Sequence, residues 1–223
     1  MYHVWVLLSS LGILLQLLLI HAQLKGAFKR FPILFTYAVT LFLTTIVEAA
    51  AFYDPQIWMK SSGYYWIVDS IRQVLIFCVV ISLTYKVMGE SRSRSSVRRG
   101  LVAGAAIFAL VSLYATREDA FGFWMTSLSR NLSFCAVILN LILWAILIKS
   151  RLADRTLLLI SGGLGIQMAG QAIGHSLRQI SHDQSSPVRI SGDLIVVLSH
   201  LACLYIWWQA FRAFDRQSLK HVE

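Results

Sequence analysis

The stretch Leu157–Ile180, LLLISGGLGIQMAGQAIGHSLRQI, decides how the chain is read. Its first 21 residues contain no Asp, Glu, Lys or Arg. As a helix it would be about 36 Å long, more than the roughly 30 Å of a bilayer's hydrocarbon core. It is not uniformly apolar, however. Gln167, Gln171, His175 and Arg178 recur at spacings of four, four and three. On a helix those spacings fall within an arc of roughly 80°, one polar stripe on an otherwise apolar rod. Lipid cannot hydrogen-bond such a stripe, so it must face other helices or a cavity. Five glycines (162, 163, 165, 170 and 174) permit close approach of a neighbour, and Gly170–Gly174 fits the GxxxG pattern.

Six further apolar runs surround this one: His3–Leu24, Pro32–Tyr53, Gly63–Met88, Leu101–Thr116, Phe121–Ile148 and Ser191–Phe211. Together they predict an all-α integral membrane protein, a single bundle of seven transmembrane helices filling residues 1–223. Composition agrees. The chain is 57% hydrophobic and 14% charged, against about 45–50% and 25% in soluble domains, and its mean hydropathy is +0.65. The first run has no basic segment before it and Lys25, Lys29 and Arg30 after it, which predicts a retained helix rather than a cleaved signal.

The charge map fixes orientation. Alternate connections hold three, five, three and three Lys/Arg, against four in the others (Lys60, Arg117, Arg178 and Arg189). The basic side is cytoplasmic by the positive-inside rule, so the N-terminus lies outside and the C-terminus in the cytoplasm. This arrangement fits a multi-pass protein of a plasma or inner membrane. It also accounts for the net charge of +9 without nucleic acid as a partner; the bilayer is the expected one. The loop Arg92–Arg99 is the most basic segment and is the candidate surface for a protein partner or anionic lipid.

Ionisable residues inside spans cost several kcal/mol on insertion scales and mark pairs or sites. Besides the stripe they are Glu48 in the second run, Asp69, Arg72 and Gln73 on one face of the third, Arg130 beside Asn131 in the fifth, and Asp193 and His200 in the seventh. Glu48, Asp69 and Asp193 balance Arg72, Arg130 and Arg178. One expectation is therefore a set of interhelical ion pairs. The other is an outward-facing polar pocket. There the arginines would bind an acidic ligand group, while Gln171, His175, His200 and Asp193 orient it. His175 or His200 could also ligate a haem, and a transporter's ion path is a further alternative. Cys78, Cys135 and Cys203 lie in apolar runs and imply no disulfide framework.

The plan resembles that of rhodopsins and G-protein-coupled receptors in topology alone. A retinal protein needs a lysine in its last helix, and Ser191–Phe211 has none. No Asp-Arg-Tyr motif is present. The His-x-x-x-His pair of ceramidase-like hydrolases is absent from the last run, where His200 stands alone. Catalytic residues are not indicated. The leading expectation is a receptor-like, ligand-binding protein. A structural or accessory subunit of a larger membrane complex is the alternative, motivated by the small-residue faces of the fourth and sixth runs.

Overall fold

The chain reverses direction for the first time at Gly26. Its φ of +126° lies where only glycine sits without strain. It interrupts a π-helical turn, Gln23–Ala27, that ends the first helix, α1 (Tyr2–Ala22). A further turn, Phe28–Arg30, leads to Phe31 and then to α2 (Pro32–Tyr53). Pro32 takes the first helical position, where its missing N–H is not needed. The remaining helices are α3 (Ser62–Val87), α4 (Arg94–Ala115), α5 (Phe121–Lys149), α6 (Arg155–Ile180) and α7 (Pro187–Lys220). The computed structural model describes residues 2–53, 62–87, 94–115, 121–149, 154–181 and 186–220; these contain no strand.

Five of the described helical segments are long and apolar enough to cross a membrane: Val4–Arg30, Pro32–Ala50, Arg130–Ile148, Arg155–Ile180 and Pro187–Arg212. Val102–Ser112 in α4 is a shorter apolar stretch. The outward faces carry exposed Leu7, Leu110, Ile148 and Ile180, while Gln16, Gln73, Asn140 and Gln167 are buried. Apolar outside and polar within is the arrangement expected where hydrocarbon is the solvent.

Helix boundaries differ from the sequence reading most at three places: the starts of α4 and α7, and the end of α7, which runs to Lys220 rather than Phe211. Helix α4 begins at Arg94, so the second half of the segment read as a basic loop is helical. Arginine is a good helix former, and Arg99 donates back to Ser95 Oγ at 3.1 Å. Helix α7 begins at Pro187 rather than Ser191. Ser186 Oγ accepts from the Val188 N–H at 3.3 Å, and Pro187 again fills a first-turn position.

Helices α1, α2, α3, α5, α6 and α7 form a ring in that order, closed by contact of α7 with α1. Helix α4 packs against α3 and α5 on the rim. The closest seam is α6 on α7. A Cβ on Gly163 would lie 2.9 Å from Trp207 Nε1, and one on Gly174 would lie 2.7 Å from the Gly192 carbonyl oxygen. Gly170 faces Ser199 at similarly close range. The glycines read as an approach surface are therefore filled within this chain.

At the end of the ring near Arg30, the bundle is sealed. Trp207 and Phe211 are fully buried. Trp207 meets Tyr37 edge-on at 5.8 Å and donates to the Ile160 carbonyl at 2.8 Å. Phe31 meets Phe211 at 5.8 Å. Arg30 bridges to Asp154 at 2.7 Å. The same Asp154 caps α6, accepting from Thr156 N at 3.0 Å.

Candidate functional site

Toward the other end, the ring opens around a cavity of about 340 Å³. Size alone puts it at the small end of ligand pockets. Each wall follows from helical spacing. Helix α6 presents Gln167, Gln171, His175 and Arg178, the stripe read from the sequence. Helix α7 presents His200 with Val196, Val197 and Leu201. Helix α3 presents Arg72, Gln73 and Ile76; helix α2 presents Tyr37, Leu41, Thr45 and Glu48. Helix α1 completes the wall with Trp5, Leu8, Ser9, Gly12 and Gln16.

The charges in this wall are matched. Arg72 pairs with Glu48 at 3.0 Å and its Nε donates to Thr44 Oγ1, also at 3.0 Å. Arg178 Nε pairs with Asp193 Oδ1 at 2.5 Å. Both pairs are partly exposed, so their carboxylates and guanidiniums keep some contact with solvent space.

The amides are not matched. Gln16 Nε2 donates to Thr45 Oγ1 at 3.1 Å, and Gln167 Nε2 donates to the Tyr37 hydroxyl at 2.9 Å. The side-chain oxygens of Gln16, Gln73, Gln167 and Gln171 are buried and have no hydrogen-bond partner. A buried acceptor without a donor costs about 1–3 kcal/mol. Four of them around one cavity is a concentration that packing alone does not call for.

Eight residues singled out by sequence thus meet in one wall: Glu48, Arg72, Gln73, Gln167, Gln171, His175, Arg178 and His200. Asp193 joins through Arg178. Arg130 and Asn131 do not line the cavity. Arg130 instead donates to Gln179 Oε1 of α6, whose Nε2 donates to Ser127 Oγ. The Asp69 side chain lies outside the described residues, as does Arg92. Among the described residues, no group of three or more His, Cys, Asp or Glu could hold a metal ion.

Sequence reading missed α1 and much of α2. Gln16 is a lone amide in an apolar run, and Tyr37 an ordinary interior aromatic. The signal available was Gln16 itself, since an isolated amide in a span requires a partner.

No protein-family model, curated protein or solved structure matches the chain.

Proposed function

We propose that this is a seven-span protein of a plasma or inner membrane, N-terminus outside, that binds a small polar or amphiphilic ligand entering from outside. The observation supporting it is the cavity, where five helices converge polar groups whose hydrogen-bonding capacity is only partly used. Apolar walls with a few convergent polar groups are the usual make-up of a ligand pocket. Helices α3 and α4 complete the seven spans. Arg72 is held by Glu48 rather than by lipid, and alternating basic connections support the orientation. A signal would leave through a separate protein docking near Arg94–Arg99.

Native mass spectrometry of protein extracted in mild detergent tests the ligand reading. A small molecule should co-purify and be lost from a Val197→Trp variant that still folds. Retention of the same mass by that variant would place the molecule elsewhere and overturn the assignment. Tags on the two termini of intact cells should report opposite sides.

The accessory-subunit alternative now draws on α4 alone. Gly104 has open space where a Cβ would stand, and Ala103 and Ala106 are exposed. Purification as a stable monomer without a partner would argue against it.

A further inference from the structure

The charge and hydrogen-bond inventory of the cavity narrows its ligand, given that the cavity is a ligand site. From this inventory we infer that the cavity selects an uncharged molecule carrying hydroxyl or N–H donors, with an apolar portion, and rejects anions.

Two observations carry this. First, each arginine in the wall already faces a carboxylate: Arg72 faces Glu48 and Arg178 faces Asp193. The remaining intramembrane arginine, Arg130, is engaged by Gln179 outside the wall. An acidic ligand would have to displace Glu48 or Asp193, or enter as an uncompensated charge in a medium poorer in water than the surface. The sequence alone suggested three arginines for an acidic group; their partners remove that role.

Second, four buried wall atoms left without a partner are acceptors, the side-chain oxygens of four glutamines. Gln16 and Gln167 each spend one amide end, on Thr45 and Tyr37. The Thr45 hydroxyl already donates to the Leu41 carbonyl, so it can only accept from Gln16, and the Gln16 oxygen is the end left unspent. Gln73 and Gln171 add two more buried oxygens without a donor. A hydroxyl or amide N–H supplies what these oxygens lack; a carboxylate or phosphate brings more acceptors. Apolar contact would come from Leu8, Ile76 and Val197.

Charge-matched thiol reagents test this without a known ligand. Ser9→Cys places one thiol in the wall of a background lacking Cys78, Cys135 and Cys203. The probes are methanethiosulfonates bearing 2-hydroxyethyl, 2-methoxyethyl, 2-sulfonatoethyl and 2-trimethylammonioethyl groups. Each rate is divided by that reagent's rate with free 2-mercaptoethanol.

The hydroxyethyl reagent should lead both charged ones by about tenfold, and the methoxyethyl ether by about fivefold, the worth of one net hydrogen bond. Glu48→Gln should bring the sulfonate to within about threefold of the hydroxyethyl reagent. Asp193→Asn serves if that variant does not fold. A sulfonate as fast as the hydroxyethyl reagent in the starting protein overturns anion rejection, and an ether as fast overturns donor selection. Either result leaves the cavity a reachable site. If no reagent reaches Ser9→Cys while an exposed control cysteine reacts, the ligand reading itself falls.

Discussion

The half of the bundle around Trp207 and the half around Gln171 are built from the same helices but treat polar groups differently. In the closed half, Asn140 and Ser161 satisfy one another: Asn140 Nδ2 donates to the Ser161 carbonyl at 3.1 Å and Ser161 Oγ donates to Asn140 Oδ1 at 3.0 Å. The Trp207 indole N–H is spent on Ile160, and Arg30, Asp154 and the α6 N-terminus form one connected set. In the cavity half, four glutamine oxygens have no donor. A membrane interior punishes unpaired polar groups. Polar groups in the closed half therefore serve stability, while those in the open half are retained at a cost to it. Gln23 breaks the pattern, being buried in the π-helical turn with both amide atoms unpartnered.

That contrast predicts opposite responses to substitution. The largest effect should come from Trp207→Ala, which empties the sealed end. A cost of about 3–5 kcal/mol is expected for a buried tryptophan, read by thermal or denaturant unfolding in detergent. A loss under about 1 kcal/mol would mean that this end is not tightly packed.

Next is Gly174→Ala, which sets a methyl against the Gly192 carbonyl oxygen and Val196. Overpacking at this seam should cost about 1–3 kcal/mol. Gly104→Ala, where nothing stands within 4 Å, should be neutral or stabilising by up to about 1 kcal/mol. Equal effects at the two glycines would erase the distinction between a filled and an open helix face.

Asn140→Leu should cost about 1–2 kcal/mol, because Ser161 loses its partner. Adding Ser161→Ala should recover part of that loss, and a double-mutant cycle measures how much.

The smallest stability change is expected for Gln73→Leu. It removes an acceptor that has no donor, so stability should stay level or rise by up to about 1 kcal/mol. Whatever small molecule co-purifies should nevertheless be lost. A large destabilisation would show that Gln73 is structural, like Asn140, and would blur the two halves.

Several elements of this contrast were legible in the sequence. The period of Gln167, Gln171, His175 and Arg178 puts them on one face because a helix admits no other arrangement. Charge balance points to ion pairs among three carboxylates and three arginines but not to which partner Arg72 takes, and the structure joins it to Glu48. Other features depend on how helices are rotated against each other, which no local pattern encodes. Arg130 reads from the sequence as a ligand-binding arginine, but it lies outside the cavity wall and meets Gln179 instead. Tyr37 receives Gln167 from 130 positions away. Starts of α4 and α7 were misjudged for a different reason. Serine, arginine and proline read as loop there, yet each is favourable in a first helical turn beyond the hydrocarbon. Nor could composition reveal which glutamine ends are spent.

The decisive measurement compares two cysteines on α7 exposed to a membrane-impermeant neutral maleimide added outside intact cells. Val197→Cys lines the cavity, whereas native Cys203 lies about 9 Å further along the helix at 1.5 Å per residue and is fully buried. In a background lacking Cys78 and Cys135, Val197→Cys should be labelled in a variant without Cys203, while Cys203 alone should resist labelling until the protein is unfolded. An unreactive Val197→Cys, or a Cys203 modified in the folded protein, would contradict a bundle open at one end and sealed at the other.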